Sequence, residues 1–252
     1  MNIKDNNSSE NNRTPRAEVV LSPALLPHYN LADKTVVVID VFRASSAICT
    51  AIAHGIKEII PVQTLEEAYE YKQNGYVVAA ERNGEVVSGF DFGNSPYSFM
   101  SEDLKGKSIV LTTSNFTKAI HQVVGADKIL IGSFLNISAL CEYLIQHNED
   151  VVLLCSGWKS KANIEDTVFA GAVINRIKEY FSTQSDAALI AEILYKSCED
   201  NLPSLLKNTS HSHRLSHLNL EKDIDYCLIP DQLDVIPVYK RETIVSLTHI
   251  LV

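Results

Sequence analysis

The feature that most constrains this chain is a repeated switch between short β-branched runs and longer stretches with helical periodicity. Thr35–Ile39, Glu58–Val62, Val77–Ala80, Ser108–Leu111, Lys128–Ile131 and Val151–Cys155 read as strands. Between them Ser45–His54, Thr64–Gln73, Asn115–Val124 and Asn136–His147 read as helices, the second announced by Thr64 and Glu67 at capping-box spacing. Glu165–Phe181 is a further amphipathic helix, and Asp186–Leu220 is mostly helical and polar. Ile224–Leu228 and Val235–Tyr239 read as two closing strands. This alternation predicts a layered α/β/α fold around a largely parallel or mixed sheet, as one large domain or two closely packed lobes. The folded domain is predicted over residues 18–252. Met1–Ala17 is Asn- and Ser-rich with no apolar segment behind a basic start, and reads as a disordered leader, not a secretory signal.

In an open α/β sheet ligands bind outside the carboxyl ends of the strands, so the residues just past each strand are the candidates. They are polar throughout. The first strand runs into Asp40 to Ser46, the third into Glu81-Arg82-Asn83-Gly84, and the fourth into Thr112-Thr113-Ser114-Asn115. The fifth delivers Gly132-Ser133, and the sixth Ser156-Gly157-Trp158 before Asn163 to Asp166. Carboxylates, arginines, hydroxyls and helix-start amides thus converge on one edge, as a metal-assisted phosphate site requires.

Composition narrows the partners. A formal net charge of −9 with no basic stripe argues against nucleic acid, and no apolar run is long enough to span a bilayer. Five cysteines without a C-x-x-C pair fit reduced thiols in the cytoplasm. A small anionic ligand stays compatible with the acidic total, because a few local cations and amides set the field at a site. A homodimer is the one oligomer carried forward, with nothing in the sequence that fixes it.

Common phosphate motifs fail on spacing. Gly106-Lys107-Ser108 mimics the end of a P-loop, but Ser101 stands where the first glycine belongs. Cys155 is followed six residues on by Lys161, where a cysteine phosphatase needs the bidentate fork of arginine. Asp40 has Phe42 at the second position after it, which removes the acid of a D-x-D aspartyl-phosphate site. His211, His213 and His217 lie in a polar stretch and read as a solvated surface in preference to a zinc site. Trp158 fits either a pocket wall or a packing role.

The remaining strings, from Asp40-Val41-Phe42-Arg43-Ala44-Ser45-Ser46 through Gly89-Phe90-Asp91-Phe92-Gly93-Asn94-Ser95-Pro96, Gly132 to Asn136, Cys155-Ser156-Gly157 with Glu165-Asp166, to Asp223 to Cys227, occur in one order. In that order and spacing the chain resembles the 2-phosphosulfolactate phosphatase family over about residues 18–240. The resemblance implies Mg2+-dependent hydrolysis of 2-phospho-3-sulfolactate, a step towards coenzyme M in methanogens, with the reaction class transferring more safely than the substrate. It implies catalytic roles for Asp40, Arg43, Glu81, Arg82 and Asp91, and Mg2+ ligands drawn from Asp40, Asp91, Glu165 and Asp166. Substrate contacts fall on Ser45, Ser46, Asn94, Ser95, Thr113, Asn115, Ser133, Asn136 and Gly157. Asp40 and Asp91 lead as metal ligands, and Arg43 or Arg82 would grip an oxyanion.

Two positions depart from the pattern: Phe116 replaces a loop glycine and Ala80 the glycine before Glu81. A phenylalanine there is expected to narrow the site or move the loop, so a phosphatase for a different small phosphoester stays open. So does a non-catalytic anion-binding protein. Each candidate also has a structural alternative: Asp40, Glu165 and Asp166 can serve helix starts, Arg43 and Arg82 can serve ion pairs, and Gly89–Pro96 can be a turn.

Overall fold

A computed structural model describes residues 13–249. The strands are β1 (Ala17–Val20), β2 (Thr35–Ile39), β3 (Glu58–Pro61), β4 (Val77–Arg82), β5 (Glu85–Val86), β6 (Ser108–Thr112), β7 (Lys128–Gly132), β8 (Val151–Cys155), β9 (Pro237–Lys240) and β10 (Thr243–Ser246). The helices are α1 (Ala44–Ala53), α2 (Leu65–Gln73), α3 (Phe116–Gln122), α4 (Ile137–His147), α5 (Ile164–Ile177), α6 (Asp186–Lys196), α7 (Leu202–Leu206), α8 (Ser210–His217) and α9 (Glu221–Cys227). The strands form one sheet in the order β1-β8-β2-β7-β9-β10-β3-β6-β4-β5.

Two parallel groups make up that sheet. In the first, Val36 lies opposite both Val152 of β8 and Ile129 of β7; in the second, Ile59 of β3 and Val77 of β4 both lie opposite Ile109 of β6. The antiparallel hairpin β9–β10 joins the groups, pairing with β7 on one side and β3 on the other. The consecutive β-branched residues of β2 fit a strand buried on both faces. Val36 and Val38 point into one core and Val37 and Ile39 into another, as the two-residue period dictates.

The core containing Val36 explains how the two groups meet. It draws Val152 and Leu154 from β8, Ile129 and Ile131 from β7, Ile59 from β3, Ala79 from β4 and Ile109 and Leu111 from β6 around α1 and α3. Every residue from Ala44 to Ile52 in α1 is buried. A helix apolar on all sides belongs in an interior, and the small Ala and Ser side chains of α1 let strands approach it from both sides. The sheet therefore folds around α1 and α3, with α4, α5 and α6 outside the first group and α2 outside the second. This folding turns the carboxyl ends of β2 and β8 towards those of β4 and β6.

The predicted strands and the helices through α5 stand close to their expected bounds, and the Thr64–Glu67 capping box of α2 is present in both directions. Three differences are informative. Ile224–Leu228, expected as a strand, belongs to α9, because Ile224 and Cys227 bury at helical spacing while Asp223 reaches Arg43. β10 was not anticipated; it completes the hairpin that links the strand groups. Residues 13–17, expected to be part of a disordered leader, are tied to the fold: Ala17 opens β1 opposite Val151, Ser182 donates to the Pro15 carbonyl, and Arg13 pairs with Asp150. The portion Met1–Asn12 lies outside the described residues.

A chain starting at Glu18 is therefore expected to unfold several degrees below one starting at Arg13, since it loses strand pairing and the Asp150 contacts. Calorimetry of the two truncations checks this, and equal melting temperatures would show that residues 13–17 add nothing.

Candidate active site

Two adjoining cavities open where the strand ends converge. The smaller is lined by Asp40, Phe42 and Arg43 after β2, Glu81 at the end of β4 and Gly84 just past it, Asn94, Asn115, Trp158, and His211 and Leu215 of α8. The larger, about 500 Å³, is lined by Arg82, Asn83, Ser114, Asn115, Lys118, Ser156 and Lys159 among others. Asn115 belongs to both walls. An acidic, buried recess thus opens onto a cleft carrying three cationic side chains.

Asp40 sits at the bottom, 7 % exposed, with no cation or side-chain donor on its carboxylate among the described residues. Its backbone amide donates to Ser45 Oγ at 2.8 Å, which fixes the strand end. Burial pushes the Asp40 carboxyl up to about 7, with Glu81 and Glu165 pushing the same way and His211 and the Ala44 amide opposing. Beside it Asn94 Oδ1 is buried without a partner, as is Ser156 Oγ at the cleft. Orphaned buried acceptors are rare in folded proteins and point to a group that completes them.

The other carboxylates divide into different tasks. Asp166 accepts from the amides of Val41 at 2.8 Å and Gly157 at 3.0 Å, tying the ends of β2 and β8 together. Burial, then the charges of Asp40 and Glu165, raise its carboxyl well above the ordinary range. Glu81 accepts from the Gly84 and Ser114 amides, which joins the loops after β4 and β6. Glu165, at the start of α5, accepts from Asn163 Nδ2 at 2.9 Å and lies 2.6 Å from His211 Nδ1, while its Oε2 is buried without a partner.

Several expected site residues have their polar groups engaged within the fold. Arg43, expected to grip an oxyanion, is engaged by the protein itself: one guanidinium nitrogen binds Asp223 and another the Gly84 carbonyl at 2.8 Å. Ser95 Oγ donates to the other Asp223 oxygen at 2.9 Å. Asp91 is not brought to the recess, because its oxygens accept from Lys72 and from the Val78 amide on the outer side of β4. Ser46 Oγ donates to the Val41 carbonyl, and Thr113 exchanges hydrogen bonds with Thr117 at the start of α3. Ser133 and Asn136 form a capping box on the 3-10 turn Phe134–Asn136 that leads into α4, Asn136 Oδ1 accepting from the Ser133 amide. Gly157 is required by geometry: its φ is +61°, and a Cβ there would lie 2.2 Å from the Lys161 carbonyl oxygen. Arg82 donates to the Glu81 carbonyl and to Thr112 Oγ1 yet still faces the cleft. Phe116 narrows nothing, since its side chain is wholly buried in the core around α1. Ala80 is likewise buried, packed against α2.

Sequence reasoning missed His211. α8 forms, but His213 and His217 are exposed, whereas His211 turns inward against Glu165 and lies beside Trp158 with ring centroids 5.3 Å apart. Arg214 covers the Trp158 ring at 4.0 Å. Only the neighbouring Leu215, buried four residues on, hints in the sequence at which face of α8 turns inward.

A wrapped α/β sheet whose carboxyl edge sets a buried carboxylate beside a basic cleft suits a phosphoester hydrolase, the class to which the family match assigns the chain. The chain belongs to the 2-phosphosulpholactate phosphatase family, whose model matches residues 20–242. It is 39% identical over 217 residues to a probable 2-phosphosulfolactate phosphatase of Caldanaerobacter subterraneus, covering 84% of this chain and 90% of that one. A protein of the same description from Thermotoga petrophila is 41% identical over 204 residues, covering 81% and 88%. One from Clostridium acetobutylicum is 36% identical over 230 residues, covering 89% and 97%.

Asp40 carries a testable stability cost. Its folded value of about 7 lies above its unfolded value of 3.8, so the folded state binds more protons between those limits. The group's contribution is therefore full below about pH 4, declines as pH rises, and is lost above about pH 7. In Mg2+-free buffer at about pH 8, Asp40→Asn is expected to unfold above wild type by on the order of a few kcal/mol, with the gap narrowing at about pH 5. Calorimetry at both values checks this, and identical curves at the higher pH would show that the carboxylate is not strained.

Proposed function

We propose that the protein hydrolyses 2-phospho-3-sulfolactate, or a related phosphorylated 2-hydroxy acid, to the hydroxy acid and inorganic phosphate with Mg2+ as cofactor. The observation that carries this is the unpaired Asp40 carboxylate beside the orphaned Asn94 Oδ1, open to a cleft with Arg82, Lys118 and Lys159. Family membership supports the same substrate class.

The donor set suits the ion. Magnesium takes hard oxygen ligands and keeps several waters, so one carboxylate and one amide oxygen are enough to hold it. Asp40 and Asn94 would supply them; the oxygens of Glu81 and Asp166 are already engaged by backbone amides. Bound there, the ion would neutralise phosphate charge and offset the burial, and the neighbouring carboxylates Glu81 and Glu165, that raise the Asp40 carboxyl.

The chain's own residues do the rest. Arg82, Lys118 and Lys159 meet the carboxylate and sulfonate of the substrate, and the loop ends braced by Asp166 and Glu81 hold the recess in shape. Phosphoryl transfer needs positioning and charge stabilisation more than covalent chemistry from the protein, which such a rigid frame provides. A cytoplasmic setting belongs to the same reading, supported by five buried free cysteines. No helix among the described residues is long and apolar enough to cross a membrane.

Purified protein is expected to release phosphate from 2-phospho-3-sulfolactate in the presence of Mg2+ and to stop on chelation. Asp40→Asn should remain folded with turnover reduced about a hundredfold or more, about 2.7 kcal/mol of transition-state stabilisation. A phosphate-release assay checks both; folded protein inactive across a phosphoester panel with Mg2+ or Mn2+ would remove the proposal.

A further inference from the structure

Resting on the phosphatase reading, the geometry points to His211, oriented by Glu165, as the proton donor to the leaving alkoxide. The ring lies in the wall of the Asp40 cavity and is 7 % exposed. Its Nδ1 is 2.6 Å from Glu165 Oε1, so Nε2 is the nitrogen it can offer to a ligand. Phe42 packs edge-on at 6.0 Å and Trp158 lies at 5.3 Å, which fixes the ring plane. Glu165 is held in turn by Asn163. The arrangement is the one general acids use: a base oriented by a third group, the carboxylate stabilising the protonated imidazole.

Elimination along the cavity wall leads to the same residue. The 2-hydroxy group of such a substrate leaves as an alkoxide, too basic to depart without a proton. Arg43 never releases one and is bound to Asp223. Glu81 is engaged by backbone amides, and Asp40 serves as an ionised ligand once a cation is present. Asn94, Asn115 and Trp158 do not titrate. Histidine is the side chain that gives up and regains a proton near neutral pH.

The step balances. As the bond between phosphorus and the ester oxygen breaks, its electron pair stays on that oxygen, which takes the proton from His211 Nε2. The water that supplies the new phosphate oxygen loses a proton as it adds, and that proton restores His211. One water is consumed per ester cleaved.

The charged groups around the ring are Glu165 from α5, Asp40 and Arg43 from the β2 end, Glu81 from the β4 end, and, across Trp158, Arg214 from its own helix and Lys159 from the loop after β8. The test compares wild type, His211→Asn and Glu165→Gln for kcat on 2-phospho-3-sulfolactate across pH, with thermal unfolding to verify each fold. His211→Asn is expected to lose about a hundredfold or more in kcat and to lose the alkaline limb of the profile. Glu165→Gln is expected to keep that limb but shift it to lower pH, because the imidazolium loses its anionic partner. Should His211→Asn not fold, the shift in Glu165→Gln decides alone. Turnover of His211→Asn within about threefold of wild type, or an alkaline limb left in place in it or unmoved in Glu165→Gln, overturns the role of His211. Absence of wild-type turnover removes the phosphatase reading itself, so the two failures are told apart.

Discussion

The site depends on the buried guanidinium of Arg43. It leaves the end of β2, binds Asp223 of α9 and the carbonyl of Gly84 after β4, and Asp223 passes the connection to Ser95. Segments far apart in sequence, and from both halves of the wrapped sheet, are thereby pinned around one recess. Taking away one member of such a buried pair leaves an uncompensated charge, a loss of about 3–5 kcal/mol. Two nitrogens of arginine's planar fork donate to two acceptors at once, which a lysine ammonium at the same place would not match.

With the halves tied, the remaining carboxylates can specialise. Asp166 and Glu81 spend their oxygens on backbone amides and so rigidify the strand ends, and Glu165 turns to His211. Asp40 is left buried without a cation or a side-chain donor, and its raised value records the cost of that burial. A buried carboxylate held at such a cost is the pattern of a residue kept for function at the expense of stability. The basic cleft beyond it gives an acidic protein a locally positive approach for an anionic ester.

Much of this was legible in the sequence. The β-branched runs of β2, β6 and β8 and the helices following them carry strong periodicity, and the rule of strand carboxyl ends sent attention to Asp40, Glu81 and Asp166. What stayed hidden is which carboxylate is free, because that depends on amide donors from elsewhere in the chain: Gly157 for Asp166, Ser114 for Glu81, Val78 for Asp91. Asp223-Ile224-Asp225-Tyr226 alternates like an edge strand, and only the buried partner Arg43 reveals that its register is helical. Phe116 looked like an intruder in a loop, yet its ring simply fills the core around α1. His211 was lost among polar neighbours because a helix with so few apolar residues gives no clear facing signal.

The proposed role of the Asp40 recess is to hold a hard cation. Mn2+ accepts the same oxygen ligands as Mg2+ and is visible by its effect on water-proton relaxation. Titrating Mn2+ into wild type, Asp40→Asn and Asn94→Ala, with Mg2+ as competitor, measures the site directly. The expected result is one displaceable Mn2+ per chain in wild type, absent from Asp40→Asn and weakened in Asn94→Ala. Equal binding in wild type and Asp40→Asn would contradict the account.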